Sequence, residues 1–302
     1  MFPAVADRTR RASAAEVLPA PGPVALPTAG SGEGERIPIR PLAWRELADL
    51  PFAVLQHRIR TVAGPAGGGF VVALGIVLGV TALVTALTDG SSTGNAWAAV
   101  LSTACCAWAL RLWIVAVTVP IGLAVVYRQP ITARTAVARL PAVAAPLLAD
   151  RLISTLIGFG ILALGAPLVV TLIPATIWLG RVRGRRWSVA PILFAESVPY
   201  STAVARSKLL AAGRVMPLAG LWIYLRAVLL VLAVPVGGLL GYLSDISGTH
   251  RWAVVTLLSG AALLISAFAA AVDAATGVVV HLDRRCGREG ADIRIPAGQA
   301  VR

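Results

Sequence analysis

The last membrane-length apolar run of the chain, residues 252–280, carries one acid, Asp273, and gives way at once to a basic tail holding Arg284, Arg285 and Arg288. A charge in hydrocarbon is expensive, and arginines massed at a helix end hold that end on one side of a bilayer. Comparable apolar stretches cover residues 67–87, 96–127, 152–180 and 216–242. Charged residues make up 14% of the chain and apolar ones 57%, with a mean hydropathy of +0.80, whereas soluble domains run at about 25% charged. A water-soluble fold is excluded. A chain of 302 residues holds roughly four to six helical spans of about 20 residues with short connections, which makes one membrane domain.

The net charge of +13 sits in short blocks beside the apolar runs. That placement suits cytoplasmic loops and the anionic headgroups of a membrane's cytoplasmic face, which are the expected partners, rather than nucleic acid. Membrane-protein partners have no signature here. Cys105 and Cys106 are adjacent in an apolar run and Cys286 lies in the basic tail. They form neither a disulfide framework nor a metal spacing, and read as buried small residues and one reduced thiol. Residues 1–36 mix Ala, Pro, Gly and Ser with charges and lack a signal-peptide core, so a disordered cytoplasmic tail is expected there.

Leu47, Leu50, Val54, Leu55, Ile59 and Val62 recur every three to four residues, with Arg45, Asp49, Arg58 and Arg60 off the stripe. This pattern predicts an interfacial helix over 41–62, its second half starting at Pro51. Spans are expected at about 67–88, 97–126, 148–168, 170–194, 216–242 and 252–281, with a flexible tail over 294–302. Trp97, Trp113 and Tyr127 supply interfacial anchors to the second of these.

Lys and Arg are retained on the cytoplasmic side during insertion. Residues 36–60 hold five, 89–95 none, 128–151 four, 181–214 seven, 243–252 one and 284–302 five. Both termini are therefore expected in the cytoplasm. Residues 128–151 and 181–214 then share a side, yet residues 152–180 reach only about 43 Å as helix, short of the roughly 60 Å that two crossings need. Either the flanks extend two spans that turn near Gly165-Ala-Pro167, giving six crossings, or the segment is a re-entrant hairpin beside four. The resulting fold class is an all-α polytopic helical bundle of about six spans in the cytoplasmic membrane. Gly75 with Gly79 and Gly237 with Gly241 are expected to form packing faces inside it.

Three ionisable residues fall inside spans: Arg111, Arg226 and Asp273. Measured from the cytoplasmic ends, Arg226 and Asp273 lie roughly 15 and 10 Å deep, so Asp273 is expected to neutralise Arg226, with Arg111 joining them or lining a polar cavity. Such a set is either a substrate or proton pathway, or a bundle-locking ion pair with an arginine reaching for headgroups. His57, His250 and His281 are scattered, and no metalloprotease, serine-hydrolase, phosphate-loop or dinucleotide motif is present. Gly67-Gly-Gly69 lacks the Lys-Ser/Thr of a phosphate loop. No enzyme activity, cofactor or metal is expected.

Arg40-Pro-Leu42, Ala190-Pro191 followed by Glu196, Ala203-Val-Ala-Arg206-Ser207, and Asp283-x-Arg285 with Arg288-Glu289-Gly290-x-Asp292 resemble an uncharacterised actinobacterial family of polytopic membrane proteins. That family is similar to the membrane domain of some glycerophosphoryl diester phosphodiesterases. The likeness spans about residues 37–293 and implies about six helices with cytoplasmic termini; it brings no activity, since the soluble phosphodiesterase domain is not among these residues. His281 stands where the family carries a tyrosine, and Gly287 where it carries an arginine. The residues that carry the likeness also suit a cytoplasmic clasp of Glu196, Arg206, Ser207, Asp283, Arg285, Arg288, Glu289 and Asp292, with Arg206 and Lys208 pairing to Glu196, Asp283 or Glu289; the alternative is a solvated, headgroup-facing charge set. A non-enzymatic accessory or scaffold is the first functional expectation, and a transporter or lipid-handling protein using Arg111, Arg226 and Asp273 the second. Cavity geometry separates them: paired and sealed charges suit a scaffold, an accessible pocket the other.

Overall fold

The computed structural model describes residues 41–89, 91–127, 129–165, 169–247 and 251–290; the expected tails, Asp292 and the turn at Ala166-Pro167 lie outside them. The described residues form helices and no strand: α1 Trp44–His57, α2 Ile59–Leu87, α3 Ser92–Val126, α4 Ala133–Ala138, α5 Leu140–Gly165, α6 Val169–Arg186, α7 Val189–Glu196, α8 Tyr200–Ala211, α9 Val215–Ser247 and α10 Arg251–Glu289. Five of them, α2, α3, α5, α9 and α10, are long and apolar enough to cross a membrane. The chain is thus a multi-pass membrane protein by the length and composition of its helices. Val71, Val72 and Leu83 of α2, Leu156 and Phe159 of α5, and Leu230 and Val231 of α9 stand exposed, as a lipid-facing surface requires and a water-facing one does not tolerate.

Lipid gives helices no hydrophobic reason to associate, so close packing and buried polar contacts must hold the bundle. α3 and α10 run side by side at its centre, interleaving Val115, Val119 and Leu123 with Ala274, Val278 and Leu282. α2 closes on α3 where Trp113 donates its indole N–H to the Pro65 carbonyl at 2.8 Å. Gly69 makes room for that ring, since a Cβ there would stand 2.6 Å from it. Trp113 thus packs α2 against α3, and Gly69 alone of the glycine triplet serves this contact.

The glycine pairs singled out in the sequence do not pack: Gly75, Gly79, Gly237 and Gly241 have no neighbour within 4 Å of an added Cβ. The closely packed pair is Gly180 with Gly184 on α6, where a Cβ would lie 3.3 Å from the Ala219 carbonyl and 3.0 Å from Leu218 of α9. Spacing alone does not say which face of a helix is turned inward.

α1 also departs from expectation. It runs unbroken through Pro51 and ends at Arg58, and its Leu47, Ala48, Val54 and Leu55 bury against Leu218, Leu221 and Leu225 of α9 and Val272 and Val279 of α10. The predicted stripe is real, but helices cover most of it; Ile59 alone of that stripe is exposed. Cys105 is exposed on α3, while Cys106 and Cys286 are buried.

α5 and α6 lie antiparallel. Gly165 abuts Ala175, Gly158 abuts Leu179 and Arg183, and Asp150 meets Arg186. α6 stops at Arg186 with three arginines in its last turn, and a separate α7 replaces the expected continuation to residue 194. Contacts among residues 42, 127, 196, 206, 212, 283, 285, 288 and 289 gather the C-termini of α3, α7, α8 and α10 and the start of α1 at one end of the bundle, where the basic blocks converge.

Candidate functional site

A cavity of about 480 Å³ lies between α3, α5, α6, α9 and α10. It is lined by charged groups from each of these helices. Arg151 and Arg226 each sit eleven residues past the first residue of their helix, about 16 Å along it. Asp273 comes from the opposite direction on α10. Helical side chains tilt toward the helix N-terminus, so Arg183, three residues from the end of α6, leans back into the bundle, its guanidinium lying over Gly158 of α5.

The three intramembrane charges expected to meet do so. Asp273 accepts from Arg111 Nη2 at 3.1 Å through Oδ2, and the same oxygen accepts from Arg226 Nη2. The Arg226 guanidinium also stands 5.3 Å from the Trp222 ring centre, a cation–π contact that helps hold a partly desolvated charge. Trp187 donates to the Asp273 carbonyl at 3.1 Å, and its own carbonyl comes within 2.9 Å of where a Gly277 Cβ would be. The α6–α7 elbow is thereby seated on α10 and closes the cavity toward the basic end.

Sequence reasoning missed four charged members of this site: Asp150, Arg151, Arg183 and Arg186. Arg186 donates to Asp150 Oδ1 at 2.9 Å and to the Tyr200 hydroxyl; burial pushes the Tyr200 phenol up, so it accepts as a neutral group. Arg151 and Arg183 have no carboxylate partner among the described residues, and the Nε of Arg151 is buried without a hydrogen bond. Among the described residues, five guanidinium groups against two carboxylates leave the cavity three positive charges in surplus. The remaining lining is uncharged: Trp108 donates to Thr155 Oγ1 at 3.1 Å across α3 and α5, and Ser154 stands beside Arg151. Arg151, Arg183 and Arg186 fall in the basic blocks 128–151 and 181–214 that set the orientation, and Asp150 lies beside residue 148, the expected start of α5. That helix begins at Leu140, which carries Asp150 and Arg151 into the bundle.

The clasp forms a second cluster. Arg206 donates to Glu196 Oε2 and to Glu289 Oε1, both at 2.7 Å. Arg285 donates to Glu289 Oε2 and to the Tyr127 hydroxyl, each at 2.9 Å. Ser207 donates to the Arg185 carbonyl at 2.8 Å, and Arg288 to that of Ala212. Of the three acids offered to Arg206 and Lys208, Arg206 takes Glu196 and Glu289, while Asp283 lies 3.4 Å from Arg284 Nε and accepts the backbone N–H of Leu42 at 2.9 Å, which anchors the entry to α1. Lys208 is exposed and joins none of these pairs among the described residues. Asp292 lies outside them. His281, buried on α10, has no hydrogen bond at either ring nitrogen.

No group of His, Cys, Asp and Glu suited to a metal ion occurs among the described residues. Comparison with protein families, with curated proteins and with solved structures found no match.

Proposed function

We propose that this chain is a six-crossing protein of the cytoplasmic membrane, its basic end inside, that takes an anionic ligand into the arginine cavity as a lipid-handling or transport protein. One observation carries the reading: five guanidinium groups and two carboxylates share one cavity inside an apolar bundle. An unpaired charge at membrane depth is costly and is retained where a polar site is needed. A pure scaffold is served by Arg111, Arg226 and Asp273 alone, which neutralise much of their own charge. It gains nothing from two further arginines without acids. The six-crossing count rests on α6 running back beside α5, and the orientation on the basic blocks. The family resemblance agrees with both and adds no activity.

The test is thermal unfolding in a neutral detergent, titrated with alkyl amphiphiles that differ only in headgroup. Anionic headgroups should raise the melting temperature and zwitterionic ones should not, and the double variant Arg151→Gln with Arg183→Gln should lose the response. If no anion of any class shifts the wild-type transition, the chain is a scaffold and the ligand reading is wrong.

A further inference from the structure

The proposed ligand reading leaves open which anion fits, and the placement of the two unpaired arginines narrows it. Arg151 comes from α5 and Arg183 from α6, and both line the cavity together with Arg111 and Arg226. Arg111 and Arg226 are already directed at Asp273, and Arg186 at Asp150 and Tyr200. Among the described residues, the guanidiniums with no carboxylate partner are then Arg151 and Arg183, on two helices that line one cavity; the Nε of Arg186 is also buried without a hydrogen bond. A carboxylate is planar and presents two oxygens on one edge, so it satisfies one guanidinium fork well. A phosphate monoester presents three terminal oxygens in a tetrahedral arrangement and carries about −1.5 to −2 charge near neutral pH. It can accept from two forks at once and offsets most of a threefold surplus. A singly charged diester offsets a third. Ser154, beside Arg151 on α5, adds a hydroxyl to the same wall, whereas the Thr155 hydroxyl already donates to the Arg151 carbonyl at 2.7 Å.

We propose that Arg151 and Arg183 form a two-helix clamp for a phosphomonoester group, carried either on a membrane lipid or on a soluble ester.

The proposal rests on the anion reading above, and its test separates the two. Wild-type protein in neutral detergent is titrated with dodecyl phosphate, dodecyl sulfonate and laurate, with glycerol phosphate as the soluble source of the same group. Dodecyl phosphate should bind about tenfold more tightly than laurate or the sulfonate, a difference of about 1.4 kcal/mol. Its affinity should rise as pH is taken from about 5 to about 7.5, through the second phosphate ionisation near 6. Among the described residues, the groups facing the ligand are the guanidiniums of Arg111, Arg151, Arg183, Arg186 and Arg226 and the carboxylates of Asp150 and Asp273, with no histidine or cysteine.

Binding of glycerol phosphate as tight as that of dodecyl phosphate assigns a soluble ester, and binding of the alkyl form alone assigns a lipid; either supports the clamp. Equal binding of phosphate, sulfonate and carboxylate, flat with pH, overturns it while leaving an anion site in place. Silence from all three overturns both. Should the double glutamine variant fail to fold, Arg151→Lys with Arg183→Lys keeps the charge and removes the forks. It should lose the phosphate-over-carboxylate preference while still binding anions; retention of the full preference overturns the clamp.

Discussion

Two clusters of arginine in this protein reach opposite ends from the same residue type. At the basic end of the bundle, Arg206 and Arg285 each donate to two acceptors, and Glu289 is shared between them. The charges are matched, and four helices are tied by the matching. In the cavity, Arg111, Arg151, Arg183, Arg186 and Arg226 face only Asp150 and Asp273. The difference lies in the supply of acids, and it separates a device that holds helices from one that holds a ligand. It also orders the energetics, since the clasp is bathed in a polar phase that screens it and the cavity lies within a low-dielectric bundle.

The largest effect should come from removing the one acid on which two cavity arginines depend. Asp273→Asn leaves Arg111 and Arg226 without their shared carboxylate. Breaking a fully buried pair costs about 3–5 kcal/mol, an upper figure for this part-buried triad, to be read as the loss of melting temperature and of folded yield in detergent. The charge-swapped double variant, Arg226→Asp with Asp273→Arg, should restore only part of that loss, because the introduced arginine then faces Arg111 at the place where Asp273 met it at 3.1 Å. Full recovery would mean that Arg111 contributes nothing to the triad. The cavity would then be a simple pair with surplus cations elsewhere.

Next in size is the wall that both clusters share, the elbow after α6. A Cβ on Gly277 would stand 2.9 Å from the Trp187 carbonyl, an atom of the backbone that cannot swing aside. Gly277→Ala should therefore destabilise by about 1–3 kcal/mol and loosen the Trp187 bond to the Asp273 carbonyl. Gly75→Ala and Gly79→Ala meet nothing within 4 Å and should leave the melting temperature unchanged or slightly raised, since alanine favours helix over glycine by up to about 1 kcal/mol. Parallel unfolding curves decide it, and equal losses at all three positions would show that the outward glycines pack too.

Much of this arrangement could be read from residue order, and the misses share one cause. Long apolar runs give the spanning helices because lipid permits little else, and an acid among arginines at membrane depth gives the Asp273 triad because such charges must pair. The clasp was legible in Arg206, Glu196 and Glu289 for a different reason, as charged motifs of opposite sign at the ends of the last two helices. What could not be read was which way a face points. Gly75 and Gly79 have the spacing of a packing motif and look outward, whereas Gly180 and Gly184, amid charges, look inward. Arg151 and Arg183 look like loop residues beside an apolar run, but an early start for α5 and the backward lean of side chains on α6 bring them into the cavity. Rotation about a helix axis is set by its neighbours, and a single helix's sequence does not contain them.

The smallest effect belongs to the clasp, and it carries the sharpest test of the comparison. Arg206 keeps 37% of its side-chain surface exposed while bonded to Glu196 and Glu289, and Arg111 of the cavity keeps 35%, so the medium each cluster faces, and not exposure alone, separates them. Exposed ion pairs are worth about 0–1 kcal/mol, because water solvates both partners well once they part. A double-mutant cycle between Arg206→Ala and Glu289→Ala should return a coupling in that range, shrinking further as salt shortens the reach of the charges. The loss caused by Asp273→Asn should change little over the same salt range, because the cavity arginines lie among helices where ions do not screen them. A clasp coupling of about 3 kcal/mol that ignores salt would place Arg206 in a dehydrated setting like that of Arg226. The two clusters would then differ in their number of acids but not in their surroundings, and the surplus of positive charge would lose its standing as the mark of a ligand site.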